Sequence, residues 1–192
     1  IEIYEERINL HKDVERILFT EEEIALRIDQ LGKQITQDYQ GKVDEQNPLL
    51  AVGILRGATI FFSDIVRKID LPVEFNFISM SSYGNESVST GKVQIREDLG
   101  FNIHNREVLI IEDIIDSGNS ISALKENFRK MNPSDVKLCA MLNKPARRVT
   151  EVEIDYCGFD TPDEFLVGYG LDFAQRYRNL PYVGVLKKSV YS

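Results

Sequence analysis

The sequence predicts an α/β fold: a mainly parallel sheet flanked by helices. Short apolar runs such as Leu49–Leu55, Val108–Ile111 and Val136–Leu142 read as strands buried on both faces. They alternate with stretches of helical periodicity, the pattern of βαβ units. The segments richest in chemistry, Arg56-Gly57, Glu112 to Ser120 and Lys144, each follow directly after one of these runs. They are therefore expected at one edge of the sheet, at the carboxyl ends of its strands, where open α/β sheets bind ligands.

The elements follow in order. Residues 1–19 mix charges with scattered apolar positions and are expected to pack on the surface or to make subunit contacts. Thr20 opens a Thr-Glu-Glu-Glu capping box, with Glu23 three residues on. Ile24, Ile28, Leu31 and Ile35 recur at helical spacing, so a helix is expected to about Tyr39, ending near Gly41. After Pro48 comes the strand Leu49–Leu55, then a turn at Arg56-Gly57-Ala58. A helix over Thr59–Ile69 follows, with Ile60, Phe61, Ile65 and Ile69 on its apolar face. Val73–Ile78 alternates as a strand. Ser79–Gly91 is polar and rich in Ser and Gly, and loops of that length are more often functional than idle. Val93–Glu97 is its expected returning strand, making the segment a flexible hairpin. The strand Val108–Ile111 leads through an acidic stretch into a helix over Ser120–Met131, with Ile121, Leu124 and Phe128 on one side and Asn132-Pro133 as its stop. Val136–Leu142, Phe165–Val167 and Tyr182–Leu186 are the remaining expected strands. There is no repeat, low-complexity tract or linker, so the reading is one domain over 1–192, with a core from about 20 to 192 and an extension at 1–19.

Composition narrows the function. The 192 residues are 43% hydrophobic and 28% charged, ordinary values for a globular chain with a sizeable core. No apolar run approaches the roughly 20 residues needed to cross a bilayer. Ile1 to Glu6 lacks the basic-then-apolar layout of a secretory signal. The formal net charge is −8, and the strongest basic cluster is only Lys144 to Arg148. A nucleic-acid binder needs a broad basic face. The expectation is a cytoplasmic protein with a small ligand and no nucleic-acid or membrane partner. Cys139 and Cys157 sit among apolar residues with no CxxC spacing, and are expected to be buried, reduced thiols. His11 and His104 are isolated and read as surface or packing residues.

The run from Val108 to Ile121 carries the most chemistry. An apolar strand feeds the acidic pair Glu112-Asp113, then Ile114-Ile115, then the turn Asp116-Ser117-Gly118-Asn119-Ser120, then a helix. Such a turn aims backbone N–H groups and a helix N-terminus at one point, which makes an anion site. Gly118 lets the backbone approach closely or take positive φ, and Ser117 and Ser120 add hydroxyls. Carboxylates beside an anion site are reasonable if the ligand also carries hydroxyls that need acceptors, or arrives with a divalent cation; a sugar phosphate with Mg²⁺ meets both conditions. Asp116 reads either as a turn former and helix cap or as a general base, and the two roles are compatible. No Walker GxxxxGK[ST] exists, and Gly168-Tyr169-Gly170 lacks the third glycine of a dinucleotide fingerprint.

Glu112-Asp113-Ile114-Ile115-Asp116-Ser117-Gly118 resembles the phosphoribosyl-diphosphate motif of type I phosphoribosyltransferases. Leu55-Arg56-Gly57-Ala58, Ser81-Ser82-Tyr83-Gly84, Asn143-Lys144-Pro145, the segment Pro162 to Asp172 and Tyr177-Arg178-Asn179-Leu180-Pro181-Tyr182 extend the resemblance to the hypoxanthine-guanine members of that family, over nearly the whole chain from about Thr20. The resemblance implies that family's fold, with a small hood and a flexible lid hairpin. It also implies a Mg²⁺-dependent transfer of a 6-oxopurine base to phosphoribosyl diphosphate, and a homodimer or homotetramer. By position, Glu112 and Asp113 would hold the ribose hydroxyls and assist a metal. Asp116 would be the catalytic base, and Asp116, Ser117, Gly118, Asn119 and Ser120 would bind the 5′-phosphate. Lys144 would donate to the purine 6-oxo group, Phe165 would stack on the base, and Leu166 would offer backbone groups to its other edge. Asp172 would border the purine and hold a second Mg²⁺. Arg56, Gly57 and Arg178 would meet the diphosphate, at a turn that in the family often holds a non-proline cis peptide, and the loop with Ser82 and Tyr83 would close over the site.

On residues alone each has a bland alternative, Lys144 as an exposed lysine, Phe165 as core, Asp172 as a solvated turn residue and Arg178 as a surface ion-pair partner, and the shared family context favours the functional roles over these. Two positions depart from the family pattern: Arg56 stands where lysine is most common, and Asn119 where some members carry lysine. Arg56 keeps the charge but adds a planar fork. Asn119 shifts phosphate binding toward backbone N–H groups and hydroxyls. Two rival readings remain: a ligand-sensing regulator built on the same fold, which would need a DNA-binding extension or a broad basic face, and a transferase of different base preference, with Lys144 disfavouring adenine.

Overall fold

Strand pairing brings the apolar runs into one sheet. The computed structural model describes residues 11–80 and 100–192. The expectations for residues 1–10, for Ser82 and Tyr83, and for a hairpin returning through Val93–Glu97 lie outside the described residues. In chain order the elements are β1 (Val14–Phe19), α1 (Glu21–Tyr39), β2 (Leu49–Leu55), α2 (Thr59–Val66), β3 (Val73–Ser79), β4 (Glu107–Ile115), α3 (Asn119–Lys130), β5 (Asp135–Asn143), a 3₁₀ turn at Pro145–Arg147, β6 (Tyr156–Asp160), β7 (Leu166–Val167), β8 (Val183–Leu186) and α4 (Lys188–Tyr191).

Five strands form a sheet in the order β3-β2-β4-β5-β6, and every neighbouring pair in it is parallel. The pleat alternates side chains between the two faces, and both faces are apolar. Leu49, Ala51, Leu109, Ile111, Cys139 and Met141 face a core completed by Ile24, Ile28, Leu31 and Ile35 of α1 and by Phe61, Phe62 and Ile65 of α2. The alternate set, including Leu50, Val52, Val108, Ile110, Leu138 and Ala140, meets Ile121, Leu124 and Phe128 of α3. Burying each of the Val, Leu, Ile, Phe and Met side chains among them contributes about 1.5–3 kcal/mol. The capping box at the head of α1 is complete, with Glu23 N donating to Thr20 Oγ1 at 3.2 Å and Thr20 N to the Glu23 carboxylate at 2.8 Å.

A second, antiparallel sheet of β1, β8 and β7 forms the hood. The sequence reading expects no strand before Thr20 or over Tyr156–Asp160; both form edge strands of mixed polarity, β1 with two register irregularities against β8. β4 runs four residues beyond the end of its apolar stretch because the ladder to β5 continues through Glu112, Ile114 and Ile115. The helix beginning at Thr59 stops at Val66, short of the expected Ile69. Both cysteines are free thiols; Cys139 is buried, whereas Cys157 is only half-buried, on β6 at the sheet edge.

Candidate active site

The carboxyl ends of β2, β4 and β5 bring the expected segments together. β2 ends in a cis peptide between Leu55 and Arg56. The Arg56 carbonyl then accepts from Thr59 Oγ1 at 2.7 Å, anchoring the turn to the first residue of α2. A Cβ on Gly57 would overlap the Asp113 carboxylate, so any other residue there would push that side chain away. Gly170 in turn lies against the Gly57 carbonyl. The Arg56-Gly57 turn, the end of β4 and the 168–172 loop therefore meet in direct contact.

The acidic pair lies inside β4, and successive strand residues diverge. Glu112 is turned into the fold, 8% exposed, and its Oε2 has no hydrogen-bond partner. Burial, with the charge of Asp113 as a smaller cause, holds its carboxyl well above the usual range. Asp113 accepts from the backbone N–H of Ile114 at 2.9 Å and opens into the larger of two adjoining cavities.

That cavity, about 600 Å³, is lined by Asp113, Ile114, Asp116, Lys144, Phe165, Leu166 and Asp172, together with residues from both ends of the chain. The second, about 300 Å³, is lined by Glu112 to Gly118 and by Ser120. Asp113, Ile114 and Asp116 belong to both. Asp116 Oδ1 is buried without a partner. Asp116 does not cap α3; the N-cap is Gly118, at φ 84°, with no side-chain cap bond. The arrangement has a turn of backbone donors at one end, unpartnered acids in the middle and an aromatic pocket at the other.

Lys144 is 7% exposed, not a solvated lysine. Its Nζ donates to the Glu164 carbonyl at 2.8 Å, and its N–H to the Ile115 carbonyl at 3.0 Å. Phe165 is 37% exposed, so it is no core residue. Its ring stacks on Tyr191 at 4.8 Å between centroids and meets the edge of Phe173 at 5.5 Å. Asp172 does not join the acidic pair. Its carboxylate accepts from Arg178 Nη2 at 2.8 Å and from the Gln175 N–H at 2.9 Å, while Arg178 Nη1 donates to the Gly170 carbonyl at 2.7 Å. Among the described residues no group of three His, Cys, Asp or Glu side chains is placed to hold a metal ion. Arg56, Gly57 and Arg178 line neither cavity; Gly57 lies against Asp113 and Arg178 pairs with Asp172.

Sequence reasoning missed several wall residues. Arg147 lines the larger cavity and donates to Asp163 at 2.6 Å; the basic cluster around it is visible in the sequence, but not its partner. Glu15, Lys188 and Tyr191 reach the cavity from the two ends of the chain, and nothing local in the sequence signals it.

Residues 16–174 match the family model for the phosphoribosyl transferase domain. The chain is 46% identical over 179 residues to the hypoxanthine-guanine phosphoribosyltransferase of Bacillus subtilis, covering 93% of this chain and 97% of that protein. It is 47% identical over 184 residues to the bifunctional protein TilS/HprT of Listeria monocytogenes, of whose length it spans only 28%. A crystal structure of a hypoxanthine phosphoribosyltransferase from Staphylococcus aureus superposes with a TM-score of 0.88 at 44% identity, covering 95% of this chain and 97% of that one.

Proposed function

The chain belongs to the phosphoribosyl transferase family, and from that premise we propose that it transfers the ribosyl 5-phosphate group of 5-phospho-α-D-ribose 1-diphosphate to hypoxanthine or guanine, giving the nucleoside monophosphate and diphosphate. The observation that carries this reading is the pair of cavities sharing Asp113, Ile114 and Asp116. A base on the Lys144 and Phe165 side and a phosphate on the Ser117 to Ser120 side leave the sugar over the acids.

Each residue then has a task. Ser117, Gly118, Asn119 and Ser120 donate to the 5′-phosphate. Glu112 and Asp113 accept from the ribose hydroxyls, and the Asp113 carboxylate tolerates the positive character that develops on the sugar as diphosphate departs. Asp116 takes the proton from the purine as its N9 bonds to the anomeric carbon. Phe165 supplies the stacking face and Leu166 backbone groups for the base edge. The Lys144 ammonium donates to the 6-oxo group; an adenine amino group there would set donor against donor. Arg56, Gly57 and Arg178 meet the diphosphate.

Mg²⁺ fits the donor set. Such ions commonly take one or two protein carboxylates and draw their other ligands from substrate and water, and Glu112, with its unpartnered Oε2, and Asp113 both border the smaller cavity. Glu112 and Asp113 would hold one ion and Asp172, on the diphosphate side, would hold a second; when bound, Mg²⁺ would neutralise charge on the departing diphosphate. Among the described residues no helix is long and apolar enough to cross a membrane. A cytoplasmic homodimer or homotetramer acting on these small molecules completes the proposal.

The test is a product assay with phosphoribosyl diphosphate, Mg²⁺ and each of hypoxanthine, guanine, xanthine and adenine, read by chromatography. The expected products are the monophosphates of hypoxanthine or guanine, with adenine the poorest substrate. Diphosphate release with none of the four, or with adenine best, overturns the reading.

A further inference from the structure

The turn that faces the phosphate is held from behind by a segment thirty residues further along the chain. After the 3₁₀ turn the chain passes beneath it, and the N–H groups of Val149 and Thr150 both donate to the Ser117 carbonyl, at 2.9 and 3.0 Å. The Thr150 hydroxyl donates to Asn119 Oδ1 at 2.6 Å. A Cβ on Gly118 would strike the Thr150 carbonyl, so the two stretches are in backbone contact. Arg148 secures the neighbouring strand ends, donating to the Ile115 carbonyl at 3.4 Å and to Asn143 Oδ1.

This contact fixes which way the turn faces. In a trans peptide the carbonyl and the following N–H point in opposite directions, and the Ser117–Gly118 bond is trans. With the Ser117 carbonyl drawn onto residues 149 and 150, the Gly118 N–H is turned away from them, and Ser117, Gly118 and Ser120 line the smaller cavity. The Asn119 side chain is held by the same segment, its oxygen accepting from Thr150; Asn119 itself lines neither cavity and lies between Gly118 and Ser120, which do line the smaller one. We infer that Thr150 is a positioning residue for the 5′-phosphate, acting through Asn119 and Ser117 to hold the turn with its donors outward. The inference rests on the functional reading above and extends it to a residue beyond the acidic motif.

The test compares Thr150→Val, which keeps the shape and removes the hydroxyl, with Thr150→Ser, which keeps the hydroxyl. Thr150 is half-buried and outside the three apolar clusters, so the hydroxyl can be removed without opening the core. For Thr150→Val, KM for phosphoribosyl diphosphate is expected to rise about three- to tenfold, the scale of one hydrogen bond, with KM for hypoxanthine and the melting midpoint unchanged. Thr150→Ser should restore the wild-type value. Asn119→Ala added to Thr150→Val should weaken binding less than the two single effects combined, because the pair acts as a unit. A wild-type KM for phosphoribosyl diphosphate in Thr150→Val overturns the inference, as does an equal rise in both KM values accompanied by a lower melting midpoint. Calorimetric titration with ribose 5-phosphate separates this inference from the functional reading. If the wild-type protein binds it but forms no nucleotide, the transferase reading fails, and weaker binding by Thr150→Val still supports the positioning role.

Discussion

Asp116 concentrates the chemistry in one side chain: it borders both cavities and carries a buried oxygen with no partner. Replacing it with asparagine keeps the shape and removes the basicity. Asp116→Asn is expected to lower kcat by about a hundredfold or more, the usual worth of a positioned base, with the affinity for ribose 5-phosphate changed by less than about threefold because the backbone donors stay in place. Steady-state kinetics with parallel calorimetry measure both, and undiminished turnover removes Asp116 from the role of base. At this scale the sequence revealed residue types in a local run, Glu112 to Ser120, far better than it revealed partners. The Arg178–Asp172 pair, the buried Lys144 held by the Glu164 carbonyl and the stacking of Tyr191 on Phe165 all depend on chain segments that only the fold brings together.

Elements were legible where their signal is local. The capping box and the isoleucine spacing define α1 from its own residues. Two of the edge strands, β1 and β6, gave no apolar run because only part of each is buried, whereas β3, also an edge, showed itself by its alternation. The far end of β4 was hidden because two acids interrupt its apolar pattern while the backbone ladder carries on. The near end of β4 holds Glu107, whose Oε2 is buried without a partner. Burial first, then the neighbouring charge of Asp135, raises its carboxyl above the ordinary value, against the pull of Lys42 and Lys137. A carboxyl raised on folding contributes stability that is present in full below its unfolded pKa, about 4.3, and lost as pH rises through the folded value. Glu107→Gln is therefore expected to raise the melting midpoint relative to the wild type at pH 7–8 and to match it near pH 3.5. Thermal unfolding across that range checks this; a midpoint lowered at pH 8 means that Glu107 is stabilised as the anion after all.

For the whole molecule, topology does the assembling. A parallel sheet of order β3-β2-β4-β5-β6 delivers three loops to one edge, and the hood closes the base side with Phe165, Leu166 and the end of the chain. Alternating strands and helices made that edge foreseeable before any side chain was placed. The hood was less legible, because its sheet joins β1, near the start of the chain, to β7 and β8, near its end. The most direct measurement is a crystal structure with inosine 5′-monophosphate bound in the presence of Mg²⁺. The account expects the 5′-phosphate within hydrogen-bond distance of the N–H groups of Ser117 to Ser120, the ribose over Glu112 and Asp113, and the base against Phe165 with its 6-oxo group on Lys144. A nucleotide bound with its phosphate elsewhere, leaving the turn at 116–120 unengaged, would contradict it.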